Sequence, residues 1–234
     1  MVLRCYLAMT AAEYQSAPTL PEHIAWMACH FSSYGLGLSN MPTSLPVGSM
    51  IMINDRTPIH KHDPAVILQQ LSALTDFIKP SCFLLDFQRP DQTQSYDVAK
   101  LLSENLPCPV GVSEIYAKDL NCPVFLSSPP LHVSLQDYLK PWADREIWLE
   151  ASLDAQNITV TKEGSIFQPA GITPLDQPIF EENTLHCLYH TELTDNAAIF
   201  HLQRDRKQLD ALMEEAMALG VTQCVGLYQQ LRKL

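Results

Sequence analysis

The chain has 234 residues, 47% of them hydrophobic and 18% charged, and carries a formal net charge of −11. That is enough apolar material for one large domain or two small ones around a true core. The acidic balance would repel nucleic acid and anionic membrane, so neither is expected as a partner, and no run approaches the roughly 20 apolar residues of a membrane span.

The chain opens on MVLRCYLAMTAAEYQ, whose apolar part is too short and too polar for a signal core. Cys5, Cys29, Cys82, Cys108, Cys122, Cys187 and Cys224 are scattered without a CxxC pair, several of them inside apolar runs. They read as reduced core residues of a cytoplasmic protein, without the spacing of metal ligands. The 8 glycines form neither GxGxxG nor GxxxxGK[ST], so no nucleotide site and no cofactor is expected. Many of the 17 prolines stand at the edges of apolar runs and punctuate the elements.

In chain order, residues 2–9, 23–31 and 49–55 are expected as strands. HDPAVILQQLSALTDFIKP (62–80) is expected as a helix: Val66, Ile67, Leu71, Leu74 and Ile78 recur at helical spacing, Asp63 caps ahead of Pro64, and Pro80 follows the end. CFLLDF (82–87) is a strand, TQSYDVAKLLSENLP (93–107) a helix and PVGVSEIY (109–116) a further strand. VFLSS (124–128) and EIWLEAS (146–152) continue the series, with a helix near 134–142 between them. NITVTKEGSIFQP (157–169) alternates around Lys162-Glu163-Gly164, which signals a hairpin. TLHCLYHTEL (184–193) is another strand, DRKQLDALMEEAMALG (205–220) a strong helix, and VTQCVGLYQQL (221–231) a last strand.

Continuous apolar runs alternating with helices imply parallel strands buried on both faces. Eight or nine strands in this length close most naturally as a (β/α)8-type TIM barrel. The expectation is a single domain over 1–234 with a hairpin excursion at 155–170, irregular where 117–121 is too short for a crossover helix. An open, doubly wound sheet is the alternative.

Barrel chemistry sits at the C-terminal strand ends. Those ends offer Asn54, Asp55 and Arg56, then Asp86, Gln88 and Arg89, then Glu114 and Tyr116, then Ser127 and Ser128, then Glu150, then His190 and Glu192, then Tyr228 and Gln229. A strand end reaching solvent is polar in any case, so it is the cluster and no single residue that points to a pocket.

LPVGSMIMIND, ILQQLSALTDFIKP and CFLLDFQRP, taken together, resemble the third strand, third helix and fourth strand of family 18 glycoside hydrolases, the chitinase-like barrels. RKQLDALMEEAMALGVTQCVGLYQQL resembles that family's last helix and strand, which would set Tyr228 near its floor tryptophan. The family's fourth strand carries D-x-x-D-x-D-x-E, commonly followed by an aromatic residue and proline. With Pro90 on that proline, Gln88 falls on the glutamate, Asp86 on the last aspartate, Leu84 on the middle one and Ser81 on the first.

In the family the glutamate protonates the leaving glycosidic oxygen, and the neighbouring aspartate orients the substrate's own acetamido group. An amide releases no proton to an alkoxide, so Gln88 removes a contribution of roughly 10²–10⁴ in rate. The resemblance thus implies a pocket that binds an oligosaccharide or other small polar ligand without chitinase-type activity. Asp86 and Glu114 are the candidates for a rearranged acid/base pair, and Gln88, Arg89, Asn54, Asp55, Tyr116, Glu150 and Tyr228 for ligand binding. Glu114 in an ion pair with Arg56 or Arg89 is the structural alternative. An active hydrolase with a relocated carboxylate pair and a scaffold without a pocket are the other functional readings. Oligomeric state is not legible.

Other residues carry less. His60 and His62 stand near Asp55 and Asp63 but lack a third metal ligand. His186 and His190 would lie about 13 Å apart on one strand face, too far for one ion. No GxSxG marks a serine nucleophile, and Lys118 reads as solvated. Trp148 reads as core and Trp26 as the better sugar-stacking candidate.

Overall fold

The computed structural model describes residues 3–57, 62–90 and 93–232. Residues 3–127, 144–150 and 221–232 form one compact unit, and 128–143 with 151–220 form another.

The first unit is the barrel. Its strands are β1 (Arg4–Met9), β2 (Ile24–Phe31), β4 (Met50–Asn54), β5 (Cys82–Asp86), β6 (Val110–Ser113), β7 (Val124–Leu126), β8 (Ile147–Glu150) and β14 (Gln223–Leu227). All pair in parallel, and β1 bonds both β14 and β2, which closes the ring. A two-residue strand β3 (Leu38–Ser39) adds to β2 antiparallel. Burial on both faces explains why these strands read as unbroken apolar runs.

The crossovers are α1 (Ala11–Ser16), α2 (Pro64–Ile78), α3 (Thr93–Asn105) and the short α4 (Glu114–Ala117), and α7 (Tyr228–Leu231) ends the described chain. In α2 the Asp63 carboxylate accepts from Ala65 N at 2.9 Å, and Ile67, Leu71, Leu74 and Ile78 are its buried stripe.

Side chains one residue apart along a strand point to opposite faces. Tyr6, Ala8, Ala25, Met50, Met52, Cys82, Leu84, Phe125, Trp148 and Val225 fill the barrel interior. Trp148 is fully buried, and a Cβ on Gly111 would lie 2.2 Å from its ring, so only glycine fits on that strand beneath the indole.

The second unit carries a five-stranded antiparallel sheet in the order β10-β9-β13-β12-β11. Its strands are β9 (Ala155–Thr161), β10 (Gly164–Pro169), β11 (Phe180–Glu182), β12 (Cys187–Leu193) and β13 (Ala197–Gln203). Helices α5 (Leu135–Leu139), a 3₁₀ turn at Lys140–Trp142 and α6 (Arg206–Ala218) complete it. Asp205 caps α6 by accepting from Gln208 N at 3.2 Å. Leu131, Cys187 and Leu202 form one buried cluster in it, flanked by half-buried Ile158, Tyr189 and Phe200, and Leu135, Leu139, Leu209, Leu212 and Ala216 of its helices are buried as well.

Three expectations are corrected. The 184–193 segment is not a barrel strand: it pairs antiparallel with β13 and β11. Its apolar run resembles a barrel strand, and only its partners distinguish it. The run 109–116 does not stay extended: the chain turns into α4 at Glu114. Finally, the cysteines are not all free. Register sets Cys5 opposite Cys224 with Cα atoms 4.6 Å apart, and the two are disulfide-bonded across the seam between the first and last barrel strands. A separation of 219 residues hides that pairing from local spacing. Among the described residues no helix is long and apolar enough to cross a membrane.

Candidate functional site

The two-residue period that fills the barrel also builds its mouth. Cys82 and Leu84 point inward, so Asp86 does too; Trp148 points inward, so Glu150 follows; Phe125 is followed by Ser127. These three polar side chains meet Gln88, Met27, Met52 and Leu227 around a cavity of about 330 Å³.

The segment Phe87–Pro90 that carries Gln88 is pinned on several sides. Asp55 is buried at 4% exposure, and its carboxylate accepts from Gln88 N at 3.1 Å and Arg89 N at 2.9 Å. Ser113 Oγ donates to Phe87 O at 2.6 Å, and the Tyr116 hydroxyl donates to Arg89 O. The Arg89 guanidinium donates to Arg56 O. Phe87 is fully buried between Phe31 and Tyr116. The polar end of this strand is therefore a braced turn, held as bound sites require.

Within it, Gln88 Nε2 donates to Asp86 Oδ1 at 2.6 Å. Burial pushes the Asp86 carboxyl above the usual aspartate range; the Gln88 bond opposes that shift and the nearby Asp55 charge adds to it. Burial also raises the Glu114 carboxyl.

The cavity thus gathers Asp86, Gln88 and Glu150 of the sequence candidates. The others stand outside its lining. Asn54 Nδ2 donates to Cys29 O at 3.2 Å, supporting the irregular register between Trp26 and Cys29. Asp55, Arg89 and Tyr116 brace the turn. Glu114 begins α4, one residue past the inward-facing parity of its strand, and among the described residues no ion pair joins it to Arg56 or Arg89. Tyr228 begins α7, while its neighbour Leu227 lines the cavity. Trp26 is buried, with its indole N–H donating to Asn40 O at 2.9 Å. Sequence reading missed the apolar lining of Met27, Met52 and Phe125, which alternation along each strand would have revealed.

A second cavity, of about 410 Å³, lies within the antiparallel unit. His190 and His201 face each other across β12 and β13 with rings stacked at 6.0 Å, and Asn157, Thr173 and Asp176 share the lining. His190 Nδ1 bonds Pro178 O at 3.2 Å and His201 Nδ1 bonds Asn157 Oδ1 at 2.9 Å. His186 precedes the strand and pairs with Glu215 at 2.5 Å. Among the described residues no three His, Cys, Asp or Glu side chains group to hold a metal ion; His60 lies outside the described residues.

No protein-family model and no curated protein matches the chain. Solved structures do. The spore cortex-lytic enzyme SleL of Bacillus cereus aligns over 96% of this chain and 70% of that one, at 9% identity and a TM-score of 0.52. A chitinase of Chromobacterium violaceum aligns over 98% and 95%, at 9% identity and 0.56. A family 18 chitinase of Cycas revoluta, a double mutant with one glutamate-to-glutamine change in complex with (GlcNAc)4, aligns over 98% and 96%, at 12% identity and 0.58. At these identities the likeness is one of fold: the chain shares the parallel-barrel architecture of these enzymes.

Proposed function

We propose that this glycoside-hydrolase-like barrel binds a saccharide in the cavity at its mouth and does not perform chitinase-type hydrolysis. The observation that carries the reading is Gln88. It occupies the place where the resemblance expects the acid, and its amide is engaged in holding Asp86 at 2.6 Å. A glutamine keeps the reach and hydrogen-bonding capacity of glutamate but has no proton to transfer. The cavity supports the ligand class: carboxyl, amide and hydroxyl groups line one part, and Met27, Met52 and Phe125 offer apolar surface for the C–H face of a sugar ring. An open cavity also speaks against a scaffold whose mouth has been filled.

A hydrolytic reading draws support from the raised Asp86 carboxyl, the kind of group a general acid requires, with Glu150 as the second carboxyl of the same lining. Ligand-observed NMR with a partially deacetylated chito-oligosaccharide, followed for a day, separates the two. Binding with an unchanged oligomer is the expected result. Cleavage that disappears in Asp86→Asn would replace it with the hydrolytic reading.

A further inference from the structure

We propose that the mouth cavity selects an amino sugar carrying a free ammonium over its N-acetylated counterpart. The inference rests on the saccharide reading above and names its ligand class.

Two carboxyl side chains, Asp86 and Glu150, line a cavity of about 330 Å³, and among the described residues no lysine, arginine or histidine lines it. Gln88 adds to the same imbalance. Its N–H donates to Asp86, which turns its carbonyl oxygen away from that carboxylate as a further acceptor. The polar part of the wall is therefore rich in acceptors and negative charge.

An acetamido group brings one N–H and one carbonyl oxygen. In such a wall the carbonyl oxygen competes with the carboxylates for few side-chain donors, the Ser127 hydroxyl and the second Gln88 N–H, and pays its desolvation wherever it goes unpaired. An ammonium brings three donors, no acceptor and a positive charge. Each hydrogen bond it makes to a carboxylate is charge-assisted. It also offsets the cost of holding the Asp86 carboxyl partly out of water beside the Asp55 charge. That cost is visible in Asp86, which burial and the Asp55 charge both push toward its protonated form. The cavity volume lies at the small end of ligand sites, suited to a single sugar ring with its amine. The chain's net charge of −11 further favours approach of cationic oligomers.

The test is calorimetric titration of the full chain at neutral pH with two probes, the fully deacetylated glucosamine tetramer and the fully acetylated tetramer. The deacetylated probe is expected to bind about tenfold more tightly, with affinity falling as salt is added. Glu150→Gln and Asp86→Asn, each checked for an intact melting transition, should each erode that preference. Glu163→Gln, which removes a charge from the exposed hairpin turn, should leave it unchanged. Equal or tighter binding of the acetylated probe overturns this inference and leaves the saccharide reading standing. A preference unaffected by Glu150→Gln and Asp86→Asn, or reduced as much by Glu163→Gln, overturns it as well, because the selection would then be diffuse surface charge. Binding of neither tetramer removes the saccharide reading itself.

Discussion

Among the described residues the two units each bury one charged side chain, and they handle it in opposite ways. In the barrel, Asp55 sits at 4% exposure and takes backbone N–H groups from Gln88 and Arg89, the first exposed and the second half-buried. In the antiparallel unit, Arg204 is fully buried. It donates to Pro129 O at 3.2 Å, to Ser128 Oγ at 3.1 Å and to His186 O at 3.3 Å, and lies 3.5 Å from Asp154. Burial pushes its guanidinium down and Asp154 pushes it back up. Asp55 thus braces a loop at a cavity rim, whereas Arg204 joins three separate chain segments of its unit. A buried charge can hold a surface turn in place at one site and tie distant chain segments together at another.

Removing these charges tests that contrast, and Arg204 should give the largest effect. Arg204→Met leaves the Pro129 and His186 carbonyls without this donor and Asp154 with only the Ser128 and Ser152 hydroxyls, with a loss of about 3–5 kcal/mol expected in denaturant unfolding of the full chain. Arg204→Lys should recover only part of it, since one ammonium cannot reproduce the planar fork. Asp55→Ala should cost less, about 1–3 kcal/mol, because the N–H groups it frees lie on a turn that water can reach. Its larger consequence should be lost saccharide affinity as Gln88 drifts. If Asp55→Ala proves the costlier of the two, the contrast between brace and strut is wrong.

How much of this was legible follows from the same physics. The barrel strands were visible because burial on both faces writes continuous apolar runs such as MIMIN and CFLLD. Asp86 and Glu150 were visible as strand ends, and the parity of Leu84 and Trp148 states that they face one space. Glu114 was drawn into the candidate pair because VGVSEIY has strand composition; the turn into α4 is a tertiary choice, stabilised where Tyr116 packs on Phe87 at 6.2 Å. The antiparallel sheet was read only in part. Its strands are mostly half-buried, so 197–203 left no clean signal, and 184–193 matched a barrel strand in everything except its partners. Register across 219 residues hid Cys5–Cys224, and the unread strand at 197–203 hid its neighbour pair His190–His201.

A pH series sharpens the comparison on the barrel side. A carboxyl raised in the folded state binds its proton more tightly there than in the unfolded chain. Ionised Asp86 therefore opposes folding above its folded pKa, and the penalty fades as pH falls through that pKa. Asp86→Asn keeps the shape and an acceptor for Gln88 while removing the charge. It should raise the melting temperature at neutral pH, with the gain shrinking as the solution is acidified, and it should weaken amino-sugar binding at the same time. A gain that persists unchanged into acid would mean the charge is not the source of the penalty.

The smallest effect belongs to the outer strand of the antiparallel sheet. All six residues of β10 are exposed, Ile166 at 57%, and the strand is an edge bonded only to β9. In the register Ile166 faces Thr159, with Ile199 beyond it, on the sheet face opposite the Leu202 core. Ile166→Thr keeps β-branching and strand propensity while removing apolar surface that already meets water. Unfolding free energy should change by no more than about 0.5 kcal/mol. Ile166→Lys should behave similarly and lower any tendency of this edge to pair with another chain. A loss of several kcal/mol from Ile166→Thr would show that this face is covered in solution, and the sheet would then have two buried faces, as the barrel strands do.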